Sequence, residues 1–426
     1  MIAANIGKIF LDAYNDKYKC NYSAKQFFVE KYFEVFFNHE KYMQWITNSP
    51  FVQGIKKGVA PTPQERKIKL DTLIEKISKN DADASIAVGF PSLDLIASTS
   101  GQITSMKLPL NEEDVYLSWI GSGFGIGVQS GLSLLFADKR ILLDLYEGWQ
   151  LYRDYLNKTP ELRGNQINTW NGQWIAHRYD KRVFNVSNPT ASFNGFASMK
   201  DGGMEVTTQS WTKIMIGIAR TYPETNLTAY IYSLGQTNIT IGFIPFDLSG
   251  IRKPYNLYEK YFNVKLEFAE QLFGTEFGFT KACQMGAIGV NALEPKGFRD
   301  TFQKGVIPKY NSKDEDKKIN FNTYQIWLLA MLNNEELWEQ SQQIAKTLND
   351  YSLSDKNAKK VKSQEVNNLL AAVNKKQFIE GLTSIVKGSN NSELLTSIAE
   401  IVHSMPVDNV PYFLTLIRFQ YAVVNK

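Results

Sequence analysis

The charged segment Ser312–Lys318, SKDEDKK, decides the predicted fold because the sequence pattern differs on its two sides. Beyond it, SELLTSIAEIVHSM places Leu395, Ile398 and Val402 on one face at helical spacing. The run VDNVPYFLTLIRFQYAVV follows, with a proline in its first turn, where helices accept one. Residues 319–426 are therefore predicted to form a C-terminal helical bundle.

Upstream of the charged segment, short runs rich in β-branched and aromatic residues are bounded by glycine, proline or asparagine, as strands are. These runs are ASIAVGF (84–90), VYLSWIG (115–121), TAYIYSLG (228–235), TIGFIPF (240–246) and GAIGVNAL (286–293). Helical stretches such as KRILLDLYEGWQLYRDYL (139–156) lie between them. Residues 85–318 are therefore predicted to be a mixed α/β body.

Residues 1–84 are predicted to be a helical segment of the same body. The stretch SAKQFFVEKYFEVFF has aromatic residues at helical spacing behind Ser23, which can act as an N-cap. A second helix is predicted at ERKIKLDTLIEKISK (65–79). Together the patterns predict an α+β fold, with a mixed α/β N-terminal body followed by a helical bundle.

Composition sets limits on the class of protein. The chain has 426 residues, 47 basic and 43 acidic side chains and a net charge of +4, which permits an anionic partner without requiring one. Cys20 and Cys283 lack the paired spacing of a zinc site, and the three histidines (His39, His177 and His403) are dispersed, so no metal and no cofactor is predicted. The chain shows no secretory signal and no apolar run of ~18 residues, which predicts a cytoplasmic protein.

The glycine-rich stretch Gly121–Gly131, GSGFGIGVQSG, resembles a phosphate loop only superficially. Its first four glycines alternate at every second position, and neither the GxGxxG fingerprint nor a Walker sequence is present. This alternation favours a strand that another backbone approaches closely. A loop whose amides contact a nucleic-acid backbone is the alternative.

The densest polar stretch is Leu162–Arg182, LRGNQINTWNGQWIAHRYDKR. Its amides suit base edges, its rings can stack on unpaired bases, and its cations can neutralise phosphates. The residues concerned are Asn165, Gln166, Asn168, Asn171 and Gln173, then Trp170, Trp174 and Tyr179, then Arg163, Arg178, Lys181 and Arg182. The alternative is an amide-rich piece of structure that satisfies its own backbone, with both tryptophans in the core.

Two further groups of residues are candidates for binding nucleic acid. Gln236 and Asn238 lie on a predicted turn between two strands, although closing a hairpin would also explain them. Basic clusters occur in both halves of the chain, at Lys56, Lys57, Arg66, Lys67 and Lys69, and at Lys356, Lys359, Lys360 and Lys362. A solvated helix face is the alternative interpretation for each cluster.

One fragment has the form of a metal-dependent nuclease site. Glu294 and Lys296 form a Glu-x-Lys sequence, in which a carboxylate would hold Mg²⁺ and a lysine would steady the attacking water. Asp247 is the candidate second carboxylate. A salt bridge that fixes a turn is the alternative.

The order of a mixed body and a C-terminal bundle ending in EIVHSMPVDNVPYFLTLIRFQYAV resembles the large subunit of a CRISPR surveillance (Cascade-type) complex. The resemblance implies a subunit that recognises target DNA beside a guide RNA, with other subunits as partners and a separate enzyme for cutting. Some members carry a zinc site, which two lone cysteines cannot form. The alternatives are a restriction-type nuclease using Asp247, Glu294 and Lys296, or a non-catalytic scaffold of another defence assembly.

Overall fold

The computed structural model describes residues 1–46, 49–55, 59–79, 111–223, 226–233, 239–265, 272–387 and 392–425. Within these ranges the chain is mostly helical, with small antiparallel sheets and a helical C-terminal part. The predicted α+β class is therefore confirmed. None of the helices in these ranges combines the length and the apolar character needed to cross a membrane.

Among the described residues, helices dominate both halves of the chain and the strands lie in its middle. The helices of the N-terminal half are α1 (Ile2–Tyr18), α2 (Ala24–Phe27), α3 (Phe33–Phe36), α4 (Pro63–Ser78), α5 (Glu112–Ser122), α6 (Lys139–Lys158), α7 (Ile167–Arg178) and α8 (Trp211–Thr221). The strands are β1 (Ile126–Val128), β2 (Leu132–Phe136), β3 (Ala197–Lys200), β4 (Gly203–Val206), β5 (Leu227–Ser233) and β6 (Ile239–Phe246). The later helices are α9 (Leu248–Phe262), α10 (Phe279–Cys283), α11 (Phe298–Lys304), α12 (Glu315–Leu332), α13 (Glu336–Leu353), α14 (Lys359–Leu370), α15 (Lys375–Lys387), α16 (Ser392–Ser404) and α17 (Val410–Val424).

Packing divides the chain into two compact units. The first unit is Met1–Leu248 with Phe279–Ala287, and the second unit is Ser249–Gly278 with Ile288–Lys426. These units differ from the segments predicted from sequence, because Ser312–Lys318 lies inside the second unit. There the carboxylate of Asp314 caps α12 by accepting from the backbone N–H of Lys317 at 3.1 Å. The charged segment thus contains the start of a helix and also marks the position where the hydrophobic pattern of the sequence changes.

The sheet of the first unit has the strand order β1-β2-β5-β6, and all of its pairs are antiparallel. The strands β5 and β6 contain the described residues of the predicted runs TAYIYSLG and TIGFIPF, so those two predictions are confirmed there. β3 and β4 form a separate two-stranded sheet. The run ASIAVGF lies outside the described residues.

Two predicted strands are wrong. VYLSWIG belongs to α5, a helix buried from Val115 to Ser122, so the run is apolar on every side and shows no helical stripe. Its start was nevertheless marked, since Asn111 caps the helix and three acidic residues follow. GAIGVNAL is also not a strand, because Gly286 has a positive φ of 81° and a 3₁₀ turn occupies Val290–Leu293.

The glycines of Gly121–Gly131 allow close approach in two different elements. Gly121 lies in α5, where an added Cβ would be 1.8 Å from the backbone oxygen of Ala3 in α1. Gly127 lies in β1, where an added Cβ would be 3.0 Å from the backbone of Asn168 in α7. The predicted close approach is confirmed, whereas the prediction of one continuous strand is wrong.

The second unit is held together by aromatic and polar contacts among its helices. Phe298 of α11 packs on Trp327 of α12 with ring centroids 4.9 Å apart. The buried Arg418 of α17 donates to the backbone oxygens of Leu370 and Ala372, at 2.6 and 2.5 Å, and so satisfies carbonyls at the end of α14. Residues upstream of Ser312 therefore share a core with the C-terminal helices.

Candidate nucleic-acid interface

Most of Leu162–Arg182 forms α7, and this helix is buried rather than presented to solvent. The side chain of Asn171 is fully buried, and its Nδ2 donates to the backbone oxygens of Gly123 and Gly125 at 2.8 and 2.9 Å. Asn171 thereby ties α7 to the turn that connects α5 with β1. An amide nitrogen engaged in this way cannot contact a base edge, so the role predicted for Asn171 in base recognition is wrong.

The neighbouring amides also bond within the first unit. The buried Gln173 donates through Nε2 to the backbone oxygen of Thr207 at 2.5 Å, and its Oε1 accepts from Gln209 Nε2 at 2.8 Å. The half-buried Asn168 donates through Nδ2 to Ser133 Oγ at 3.0 Å. The interpretation of this stretch as an amide-rich part of the core is therefore confirmed, and base recognition by Gln173 is wrong.

Both tryptophans of the stretch are core residues. Trp170 and Trp174 are buried, and their Nε1 atoms donate to the backbone oxygens of Gly148 and Asp144 at 2.9 and 2.6 Å. Gly148 leaves room for the indole, because an added Cβ there would lie 2.6 Å from the Trp174 ring. Neither ring is available to stack on a base, so the prediction that Trp170 and Trp174 stack on bases is wrong.

A carboxylate on α6 accepts hydrogen bonds from side chains at the ends of α7 and α8. Asp144 accepts from Arg178 Nη2 at 3.0 Å, from Tyr179 Oη at 2.8 Å and from Tyr222 Oη at 2.9 Å. Burial raises the pKa of Tyr179 well above its usual range, which keeps its hydroxyl a donor. Arg178 also lies 3.1 Å from Glu147, so its charge is neutralised inside the unit.

The remaining cations of the stretch differ in exposure. Arg182 is half-buried and paired with Asp180 at 2.5 Å, and Arg163 is paired with Glu205 at 2.5 Å. Lys181 is exposed. Arg163, Arg178 and Arg182 therefore have carboxylate partners in their own unit, and Lys181 keeps the predicted role of a phosphate ligand.

His177 is a structural group of the same helix. Its Nε2 lies 2.9 Å from the backbone oxygen of Pro189, and its ring stacks on Phe193 with centroids 4.5 Å apart. Burial lowers the pKa of His177, so the neutral ring with its N–H donating to Pro189 is the favoured state. The structure thus explains His177 by packing and one hydrogen bond.

The N-terminal basic cluster is only partly available for binding. Arg66 is buried and donates through Nη1 to the backbone oxygen of Pro61 at 2.6 Å, so the role predicted for it as a phosphate ligand is wrong. Lys67 is exposed. Four other predicted binding residues lie outside the described part of the chain: Lys56, Lys57, Gln236 and Asn238.

The C-terminal basic cluster stays at the surface. Lys356, Lys359 and Lys360, which we call the α14 lysines, are exposed, and the first turn of α14 contains no acidic residue. The N-terminal end of a helix carries a partial positive charge, so these side chains add to a potential that is already positive. Lys362 instead donates to Ser354 Oγ at 2.8 Å.

An aromatic groove on the first unit was missed by the sequence interpretation. Tyr230 of β5 is paired directly with Phe243 of β6, and their ring centroids are 5.4 Å apart. Phe243 is 64% exposed, and a cavity of about 310 Å³ lies beside the two rings. The alternation in TAYIYSLG and TIGFIPF was visible in sequence, but only the register of the pair places the rings together.

The candidate nuclease fragment is a salt bridge. Glu294 is buried, and its two carboxylate oxygens accept from Arg299 Nε at 3.0 Å and Nη2 at 2.8 Å. Lys296 is exposed, and Asp247 belongs to the first unit whereas Glu294 belongs to the second. Among the described residues, no group of three His, Cys, Asp or Glu side chains could hold a metal ion. The interpretation of Glu294 as a structural ion pair is confirmed.

The cysteines are separate and differ in environment. Cys20 lies 3.4 Å from Asn15 Oδ1 and is partly exposed, whereas Cys283 is buried in the first unit. Burial raises the pKa of Cys283 to about 11, which keeps its thiol protonated and unreactive at neutral pH. Both residues fit the predicted role of free thiols.

A comparison with protein-family models, with curated proteins and with solved structures found no match. The resemblance to the large subunit of a CRISPR surveillance complex therefore stays an interpretation of the chain's layout. Within the described ranges, the predicted cations that are exposed and keep a possible role in binding are the α14 lysines, Lys67 and Lys181, and the aromatic groove adds exposed rings. These surfaces provide positive charge and aromatic rings.

Proposed function

We propose that the chain is a nucleic-acid-binding subunit of a prokaryotic antiviral defence complex, one that recognises target DNA beside a guide RNA without cutting it. The observation that carries this proposal is the exposed group of α14 lysines at a helix whose first turn contains no acidic residue. Lysines at that end of a helix are unfavourable for the folded chain and favourable for binding a polyanion. A nucleic-acid backbone supplies the negative charge that the first turn of α14 lacks.

Two further features support binding without cutting. The groove beside Tyr230 and Phe243 offers aromatic rings, which bind unpaired bases of any sequence. Glu294, the residue on which the nuclease alternative depends, is held in both oxygens by Arg299. The guide RNA, the target DNA and the partner subunits enter the proposal from the resemblance in layout.

The charge-reversal variant Lys356→Glu/Lys359→Glu/Lys360→Glu tests the proposal. Affinity for labelled single-stranded and duplex DNA and for RNA is measured by fluorescence polarisation at several salt concentrations. Each lost phosphate contact flattens the slope of log affinity against log salt by about 0.7–0.9, so the variant is expected to lose up to about 2–3 from that slope. The loss should be similar for different sequences.

A matched control separates position from net charge. The control variant Lys304→Glu/Lys309→Glu/Lys313→Glu changes the charge by the same amount at lysines elsewhere in the second unit. It is expected to keep most of the affinity. Equal losses in both variants would show unspecific attraction, and no binding of any nucleic acid at low salt would contradict the proposed function. Purification of the chain with RNA of uniform length would distinguish a guide-RNA complex from another scaffold.

A further inference from the structure

The aromatic groove of the first unit is bounded by the start of α1 and by the strands β2, β5 and β6 of the sheet. Its lining residues are Met1, Ile2, Asn5, Ile6, Leu135, Ala137, Thr228, Tyr230 and Phe243. The cavity of about 310 Å³ lies at the lower end of the range for small-molecule pockets, so it suits one ring system rather than a long ligand. The strand β6, which carries Phe243, is an edge strand of its sheet.

The two rings of the groove are held in different ways. Tyr230 stacks on Tyr232 of the same strand with centroids 5.8 Å apart and planes 22° apart, and it is half-buried. Phe243 contacts Tyr230 across the strand pair and is 64% exposed. The groove therefore combines one fixed ring with one ring whose face is open to a ligand.

The chemistry of the lining selects a class of ligand. None of the nine lining residues has a charged side chain, so the side chains of the groove favour an uncharged ligand. Its polar side chains are the Asn5 amide and the hydroxyls of Thr228 and Tyr230, which can donate to and accept from an uncharged ring edge. A nucleobase is a flat uncharged ring with donors and acceptors at its edge, and it therefore fits this lining.

We propose that the groove binds one unpaired nucleobase of a bound strand, stacked on the exposed ring of Phe243 with the tilted ring of Tyr230 beside it. The inference rests on the proposed function, since that function supplies the strand whose charged backbone remains outside the groove. Bases in an intact duplex are already stacked on their neighbours, so the ligand is a single-stranded segment. Stacking of this kind tolerates any base, because every base has an aromatic face.

Three substitutions of one residue separate stacking from simple apolar contact. Phe243→Ala removes the ring, Phe243→Leu keeps apolar area without an aromatic face, and Phe243→Trp keeps an aromatic face. Binding of a short single-stranded oligonucleotide is expected to weaken about 5- to 150-fold in the Ala and Leu variants and to remain near wild type in the Trp variant. Val186→Ala, at another exposed apolar residue of the first unit, is the control and is expected to bind normally.

Crosslinking locates the base directly. An oligonucleotide containing 5-iodouracil is irradiated with the wild-type chain, and the crosslinked peptide is identified by mass spectrometry. Crosslinks at Tyr230 or Phe243 are the expected result. Crosslinks confined to other residues, or normal binding by Phe243→Leu, would overturn the inference, because the second result would show that the aromatic ring is not needed.

The two proposals fail in distinguishable ways. If the chain binds oligonucleotides through the α14 lysines while all three Phe243 variants bind normally, the groove inference fails and the proposed function stands. If no oligonucleotide binds, adenosine alone is tested by saturation-transfer NMR on wild type, Phe243→Ala and Val186→Ala. A signal that only Phe243→Ala loses would show a base site in a chain of another function, and equal or absent signals in all three would overturn the groove inference as well.

Discussion

The segments Leu162–Arg182 and Lys356–Lys362 are both polar and partly basic, yet they differ in their surroundings. The first forms α7, whose residues Ile167–His177 are largely buried in the first unit. The second begins α14, where Lys356, Lys359 and Lys360 are exposed. Polarity alone predicted a binding surface in both segments, but the first segment belongs to the core.

The difference lies in the kind of polar group. An uncharged amide such as that of Asn171 can be buried at little net cost once backbone carbonyls accept its hydrogens, and a tryptophan beside it adds apolar area. The ammonium group of a lysine such as Lys359 loses far more hydration on burial and stays outside unless it is paired. Amides mixed with tryptophans thus indicate a polar core, and clustered lysines indicate surface.

The largest expected effect comes from Gly172→Ala in the buried segment. An added Cβ would lie 2.3 Å from the backbone oxygen of Gly127, so α7 and β1 would have to separate. We expect a loss of about 3 kcal/mol or more in the free energy of unfolding, despite the better helix propensity of alanine. Urea unfolding followed by circular dichroism measures this change.

A second glycine provides the control for that substitution. Gly274→Ala places a methyl group where no atom lies within 4 Å and where φ is not positive, and it is expected to leave the stability nearly unchanged. A Gly172→Ala protein as stable as wild type would show that α7 is not packed against β1 as described. The contrast between a buried polar segment and an exposed one would then no longer hold.

A smaller loss is expected from Asn171→Ala. The change leaves the backbone oxygens of Gly123 and Gly125 without the donors that now lie at 2.8 and 2.9 Å. Unsatisfied buried groups of this kind cost about 1–3 kcal/mol in the free energy of unfolding. Thermal and urea unfolding test the value, and nucleic-acid preference measured on the same variant should not change. Relaxed base preference at wild-type stability would restore the interpretation of α7 as a base-recognition surface.

His177 gives the buried segment a pH dependence. Burial holds its native pKa below the usual value of about 6.5, so the unfolded chain takes up the proton first as the pH falls. The stability that depends on neutral His177 is complete above about pH 6.5 and is lost as the pH falls toward the native pKa. The variant His177→Gln, which keeps an N–H donor for Pro189, should show a weaker decline in that window. Urea unfolding at several pH values measures the difference, with the exposed His403→Gln as control.

The sequence predicted much of the fold and little of the site, for physical reasons. Periodicity identified α6 and α16, because each has a distinct apolar face, and it failed for α5, which is buried all round. The spacing of the glycines indicated that another backbone approaches closely, but it did not identify α7 as the element that approaches Gly127. The pair of Tyr230 and Phe243 depends on strand register, and the partner of Glu294 depends on the turn that brings Arg299 back. Residues that act through neighbours distant in sequence could not be assigned from single runs.

The smallest expected effect concerns the exposed segment, where the substitution should raise the free energy of unfolding rather than lower it. Lys359 and Lys360 occupy the first turn of α14, where the helix dipole favours negative side chains. The double variant Lys359→Glu/Lys360→Glu should therefore raise the free energy of unfolding by about 0.3–1 kcal/mol while it weakens nucleic-acid binding.

The neutral variant Lys359→Gln/Lys360→Gln should lie between wild type and the Glu variant in both measurements. If these lysines were needed for packing, the free energy of unfolding would fall across this series, as it is expected to do for Asn171→Ala. If they serve to bind an anion, the free energy of unfolding rises while the affinity for nucleic acid falls. Unfolding in urea at low salt and polarisation binding on the same preparations give both values. Falling stability across the series would place these lysines in a structural role and remove the contrast with α7, because both segments would then serve the folded chain alone.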